Sequence, residues 1–201
     1  MIFEDFNPEI HDSYKIAILV YDVDFRIYNL FFKNKNKAVK VIEKELIAEF
    51  PKNNNYYKMK IILSDDNKIL GVISYYTENK KELLNNIIGL FKNLGVIEAI
   101  KFLLIDILDS FVLADFKKGD VYISQLAINP SKRGQGLGSD VLEKCINNFR
   151  QEGFEKIILD VDFRNTKAKL LYEKIGFKEF NKKRFKILNF ERGMYNMEFI
   201  L

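Results

Sequence analysis

Three closely spaced glycines set the first chemical constraint. The stretch Arg133-Gly134-Gln135-Gly136-Leu137-Gly138-Ser139 follows an apolar, strand-like run from Val121 to Ile128. Asn129-Pro130 stops that run, because proline has no N–H for a sheet ladder. Beyond the glycines, Val141, Leu142, Cys145, Ile146 and Phe149 repeat at one-face helical spacing. Glycines at a helix start let backbone N–H groups approach a ligand with no side chain in the way. The helix dipole adds partial positive charge there, and Arg133 adds a full one. This is phosphate-binding chemistry. A P-loop requires lysine after its last glycine, and none follows Gly138. Gly134-x-Gly136-x-x-Ser139 approaches a dinucleotide fingerprint, with Asp160 at about the right distance. Asn129 to Arg133 separate strand from glycines, however, and no run of βαβ units precedes them.

Other reactive side chains are sparse. The chain has one histidine and one cysteine, which excludes a disulfide framework and makes His- or Cys-based metal and nucleophile chemistry unsuitable. Cys145 falls on the apolar helix face, where a thiol packs. His11, near a helix start, is expected at the surface. Asp22 and Asp24 interrupt two helical pieces; such acids cap helices or hold a cationic substrate. No metal site is expected. The net charge is +4, and Lys and Arg alternate with Asp and Glu, so no nucleic-acid stripe forms. The start lacks a signal-peptide pattern, and no apolar run reaches membrane-span length. A cytoplasmic protein with no membrane partner, monomer or homodimer, is expected.

The elements that must position these residues follow from periodicity. The 201 residues, 48% apolar and 30% charged, suit a single domain over 1–201 with a sizeable core. A short strand at Ile2–Phe6 precedes helices at 10–21, 27–32 and 36–50, the last burying Val39, Ile42, Leu46 and Phe50. Pro51 and Asn53–Asn55 mark a loop. Strands Tyr57–Leu63 and Ile69–Tyr76 form a hairpin around Ser64–Lys68. Asn79 and Glu82 have capping-box spacing before a helix carrying Leu83, Leu84, Ile87, Ile88 and Phe91, which Gly95 ends. Val96–Leu108 is apolar nearly all round, which predicts burial on more than one side, with Asp106 and Asp109 on the exposed face. Phe111–Phe116 extends it or makes another turn. A strand at Glu155–Asp162 leads through Phe163-Arg164 into a helix from Asn165 to Gly176, carrying Ala168, Leu171, Tyr172 and Ile175. Two final strands lie within Phe177–Leu188 and Met194–Leu201, with Asn189–Gly193 as loop.

Two motifs in order point to one family. Arg133-Gly134-Gln135-Gly136-Leu137-Gly138 resembles the R/Q-x-x-G-x-G/A signature of the GNAT superfamily of N-acetyltransferases, and Leu126-Ala127-Ile128-Asn129-Pro130 resembles the strand end before it. Asn165 to Phe177 is similar to the family's N-x-x-A-x-x-L-Y-x-x-x-G-F helix. The resemblance implies an α/β fold, a central mixed and mostly antiparallel sheet flanked by helices, here with a helical insertion at about 79–118. It implies acetyl-CoA as co-substrate. The backbone of Leu126, Ala127 and Ile128 would pair with the pantetheine arm. Arg133, Gly134, Gln135, Gly136, Leu137, Gly138 and Ser139 would cradle the pyrophosphate. Asn165 and Tyr172 would complete the cofactor site. The N–H of Ile128 would stabilise the oxyanion. Tyr172 stands where the family keeps its general acid, and a phenol near pKa 10 can protonate a departing thiolate.

The base for the amine is the gap. Where some family members carry glutamate, this chain has Ser124, which could hold a relaying water. Asp162, Asp24 and Glu98 are the other candidates. The expected function is direct acetyl transfer from acetyl-CoA to a primary amine of a small molecule or peptide; the alternative is a non-catalytic acyl-CoA-binding or sensing module.

Overall fold

The computed structural model describes residues 1–50, 57–77 and 83–201. In chain order the elements are β1 (Ile2–Asp5), α1 (Ser13–Val23), α2 (Phe25–Phe31), α3 (Lys35–Glu49), β2 (Tyr57–Leu63), β3 (Ile69–Tyr76), α4 (Leu83–Leu94) and α5 (Val96–Ser110). Then follow β4 (Asp120–Ile128), a 3-10 turn (Pro130–Lys132), α6 (Leu137–Gln151), β5 (Lys156–Asp162), α7 (Thr166–Ile175), β6 (Lys178–Ile187) and β7 (Phe190–Ile200). The strands form one mixed sheet in the order β1-β2-β3-β4-β5-β7-β6. The β4–β5 pair is parallel; β1–β2, β5–β7 and β6–β7 are antiparallel. The expected loop at 51–55 and the Asn79–Glu82 capping box lie outside the described residues.

By contacts the chain divides into two compact units. The first holds Met1–Ser74, Lys80–Ile107 and Gln125–Ser131; the second holds Tyr75–Asn79, Leu108–Ser124 and Lys132–Leu201. In the first unit, Asp12 caps α1 by accepting from the Lys15 N–H, and Asn34 caps α3 through the Lys37 N–H. Ile16, Ala17, Val39, Ile42, Ile61 and Ile73 form its dry interior. Phe50 is 40% exposed rather than buried, with its ring edge-on to Phe6 at 6.1 Å. In the second unit, α6 buries Val141, Leu142, Cys145, Ile146 and Phe149, the face that the spacing predicts. Phe149 meets Tyr75 edge-on at 4.9 Å.

Three further expectations need correction. His11 is buried, not superficial: Nδ1 accepts from the Asn7 N–H at 3.0 Å and Nε2 lies 3.3 Å from Glu4. A histidine near a helix start reads as surface; here the Asn7 N–H and the Glu4 carboxylate of β1 give both ring nitrogens partners, so its burial is tolerable. Helix α5 buries only Ala99, Phe102 and Ile105. Val96, Ile97, Ile100, Leu104 and Ile107 stay exposed on the opposite side, and Asp109 faces the buried Arg192 at 2.8 Å. The last strand begins at Phe190, not Met194. Phe185↔Arg192 and Lys186↔Glu191 are paired, so the turn is only Leu188-Asn189, with Leu188 in the left-handed region at φ 52°. Sheet pairing there overrides the turn chemistry of Asn189 and Gly193. Among the described residues, no helix is long and apolar enough to cross a membrane.

Candidate functional site

The glycine turn supplies donors that nothing consumes. Gly134 (φ 77°) and Gly136 (φ 84°) are left-handed, a conformation that a side chain resists. A Cβ at either would meet nothing within 4 Å, so space before the turn is open. Gly136 caps α6 with no side-chain hydrogen bond. Ser139 and Asp140 donate to the Gly136 carbonyl at 2.9 and 3.2 Å. Among the described residues, the N–H groups of Gly136, Leu137 and Gly138 have no acceptor. Donors of this kind at a helix start, reinforced by the dipole, are chemically suited to an anion. The Ser139 N–H is thus used inside the turn. A Cβ on Gly138 would lie 3.1 Å from Leu171 Cδ2, so that glycine also lets α6 approach α7.

Helix α7 places the phenol. Asn165 Oδ1 accepts from the Ala168 N–H at 3.2 Å, and Gly176 closes the helix at φ 114°. Tyr172 is its one buried residue. Its ring lies 5.7 Å from that of Phe177. Burial pushes its hydroxyl up to about 12. Among the described residues that hydroxyl has no hydrogen-bond partner. Cys145, buried on α6, is likewise pushed up to about 12 by desolvation, which makes it an inert packing thiol.

The pairing of β4 with β5 is incomplete. The parallel β4–β5 ladder runs from Asp120↔Lys156 to Ile123↔Leu159. Both strands continue, β4 to Ile128 and β5 to Asp162, so the ladder covers only the first part of each. Leu126, Ala127 and Ile128 then lead through the 3-10 turn to Arg133. The Asn129 N–H and amide fix that strand end to the carbonyls of Leu70 and Ile69 at 2.8 and 3.2 Å.

The substrate-side candidates scatter. Ser124 is half-buried on β4. Asp162 accepts from the Arg164 N–H at 2.8 Å and lies 3.9 Å from its guanidinium, so it shapes the β5–α7 turn. In the first unit, Asp24 occupies the N-cap of α2. Its neighbour Asp22 pairs with Lys35 at 2.8 Å. Glu98 lines a cavity of about 410 Å³ with Lys37, Lys40 and Lys44. One part-buried polar group in the second unit has no signature in the sequence. Asp160 accepts from the Tyr122 hydroxyl at 2.7 Å, the Ala114 N–H at 3.0 Å and the Asn196 amide. No group of residues suited to a metal ion is present among the described residues.

Comparison with known proteins names the architecture. The model of the acetyltransferase (GNAT) family matches residues 25–177. The chain belongs to the GNAT family. A mycothiol acetyltransferase of Thermobispora bispora is 38% identical over 64 residues, 32% of this chain and 21% of that protein. N-alpha-acetyltransferase 30 of Schizosaccharomyces pombe is 31% identical over 77 residues, 34% of this chain and 51% of that protein. Matches to the curated mycothiol enzymes thus span about a fifth of their length. Among solved structures, spermidine N-acetyltransferase from Vibrio cholerae, in complex with CoA and spermine, superposes with a TM-score of 0.64. That match is at 15% identity and covers 99% of this chain and 94% of that one. A putative phosphinothricin N-acetyltransferase gives 0.62 at 11% identity, covering 100% of this chain and 98% of that one. At such identities the likeness is one of fold. This GNAT chain therefore carries the family's mixed sheet, and the expectation drawn from its two motifs holds at the level of family and fold.

Proposed function

We propose that this GNAT protein transfers an acetyl group from acetyl-CoA directly to a primary amine, and that it works in the cytoplasm. The observation that carries the reading is the row of N–H donors at Gly136, Leu137 and Gly138 that have no acceptor among the described residues, beside the open space at Gly134 and Gly136. A pyrophosphate fits that donor set. Arg133, Gly134, Gln135 and Ser139 complete the cradle, the backbone of Leu126, Ala127 and Ile128 continues it along the pantetheine, and Asn165 borders it. The bound co-substrate supplies an activated thioester.

Tyr172 is the general acid in this reading. A phenol at about 12 would be a poor donor to a thiolate in water, where thiols titrate near 8.5. A departing thiolate that is partly desolvated in the site is raised in the same direction, which narrows that gap.

The relatives and neighbours are named for mycothiol, N-alpha and spermidine acetylation, so the acceptor class is approached with a panel of spermidine, peptide α-amines, a lysine peptide and an aminoglycoside. Purified protein is incubated with acetyl-CoA and each amine while free thiol is followed. Thiol release that depends on one of these amines supports the reading. Tight CoA binding by calorimetry with no amine-dependent release would instead make the chain an acyl-CoA-binding module.

A further inference from the structure

Three lysines of the first unit line a cavity that the acetyl-transfer reading does not use. Lys37, Lys40 and Lys44 follow one another along α3 at three- and four-residue spacing, so their side chains share one face. Together with Val41 of α3, Leu94 of α4 and Glu98 of α5 they surround a space of about 410 Å³. All of these residues belong to the first unit, and none belongs to the glycine turn or to α7. The volume lies in the range of small-molecule sites.

The charges on this face are uncompensated. Elsewhere lysines meet carboxylates: Lys35 pairs with Asp22, Lys60 with Asp5, Lys156 with Glu198 and Lys169 with Glu173. Among the described residues, no side chain partners the ammonium groups of Lys37, Lys40 and Lys44, and Glu98 pairs with none of them although it lines the same cavity. Like charges at this spacing on a helix repel. The first turn of α3 holds no acidic residue to offset them. Natural sequences carry such local violations chiefly at functional sites, and an anion in the cavity removes this one.

We propose that this cavity binds a nucleoside di- or triphosphate, at a site additional to the one for the co-substrate. Lys37 to Lys44 covers about 10 Å of helix, a row of charge that suits a chain of phosphates better than a single one. Each ammonium group offers three donors, and the resulting bonds to phosphate oxygens are charge-assisted. Val41 and Leu94 are nearly buried and give the cavity an apolar wall against which a base can lie. Glu98 is the one carboxylate of the lining. An ionised carboxylate only accepts hydrogen bonds, so Glu98 suits the amino group of a base and repels a bare polyphosphate. The lining therefore selects a ligand with phosphates at one end and N–H donors at the other.

The test is calorimetric titration of ATP, AMP and inorganic tripolyphosphate into the full chain, with amine-reactive labelling to locate the site. ATP should bind at least about tenfold more tightly than either AMP or tripolyphosphate, and less tightly as salt is raised. It should shield Lys37, Lys40 and Lys44 from the reagent, as read on their peptides by mass spectrometry. The variant with Lys37→Gln, Lys40→Gln and Lys44→Gln should lose at least about tenfold in ATP affinity while its CoA affinity and amine-dependent thiol release stay unchanged. The three positions are exposed, so this variant keeps the fold. Gly136→Ala should do the reverse, weakening CoA and sparing the ATP-dependent shielding. No ATP binding by the wild type, tripolyphosphate bound as tightly as ATP, an undiminished ATP affinity in the triple variant, or shielding lost in Gly136→Ala overturns the proposal. Acetyl transfer is untouched by any of these results, because thiol release on the same preparations reads it separately.

Discussion

Removing one oxygen from Tyr172 separates chemistry from packing. The ring is 8% exposed and rests against Phe177. Its hydroxyl has no hydrogen-bond partner among the described residues, so Tyr172→Phe breaks no bond in the resting protein. The hydroxyl oxygen is not among the fully buried atoms left without a partner, so its loss costs little, and stability should stay within about 1 kcal/mol of the wild type. The catalytic consequence is of a different size. A positioned acid contributes roughly 100- to 10,000-fold, and without it the thiolate leaves in a dry site with no proton donor. We expect kcat to fall at least about 100-fold at pH 7, with little change in the KM for acetyl-CoA. The sign of the pH effect follows from the upward shift. A phenol pushed up to about 12 stays protonated through pH 10, so wild-type activity should show no alkaline limb from this residue below about pH 10, where an ordinary tyrosine begins to ionise. Thiol release and thermal melting on the same preparations measure both effects. A kcat within about twofold of wild type would refute the general-acid argument, and a lowered melting temperature with unchanged kcat would assign Tyr172 to packing.

Gly136→Ala places an L side chain at φ 84° in open space, so its cost is backbone strain of about 1–2 kcal/mol. Relaxation of that strain turns the donors away, and calorimetry should show CoA bound at least about fivefold more weakly; unchanged affinity would remove the turn from the site. Cys145 should resist alkylation at pH 8 in the folded protein and react on unfolding, because its thiol is held protonated up to about 12. The same upward shift makes its contribution to stability full below the unfolded thiol's pKa and lost as pH rises from about 9 toward 12, a decline that Cys145→Ala should lack. Rapid labelling of the folded thiol would contradict this.

Legibility in the sequence tracked the distance over which residues interact. The α6 face was readable because 3.6-residue spacing marks Val141 through Phe149 directly, and Asn165 and Gly176 announced both ends of α7 through local capping chemistry. The glycine turn was readable for the same reason: left-handed residues and bare N–H groups are properties of a few consecutive positions. His11 was misjudged because its burial depends on Asn7 and Glu4 folding back onto it. The strand at Phe190 was missed because Asn189 and Gly193 carry turn preferences that pairing with β6 outweighs. By its spacing from the glycines alone, Asp160 matches the ribose ligand of a dinucleotide site. Its partners Tyr122, Ala114 and Asn196 are 38, 46 and 36 residues away, and no local pattern links them. The breadth of apolar residues on α5 was visible, but not that Ile97, Ile100 and Leu104 would face outward; periodicity identifies faces, and only tertiary packing decides which are covered.

The central claim is that the acetyl group passes directly from the CoA thioester to an amine. Acetyl-CoA labelled with carbon-13 at the carbonyl, incubated with the protein and the amine panel, tests it by following the label in NMR spectra. The account predicts that the thioester carbonyl signal is replaced by an amide signal on one amine, in step with thiol release and with no label retained on the protein. Label found covalently on Cys145, or thioester consumed to free acetate with no amide formed, would contradict it.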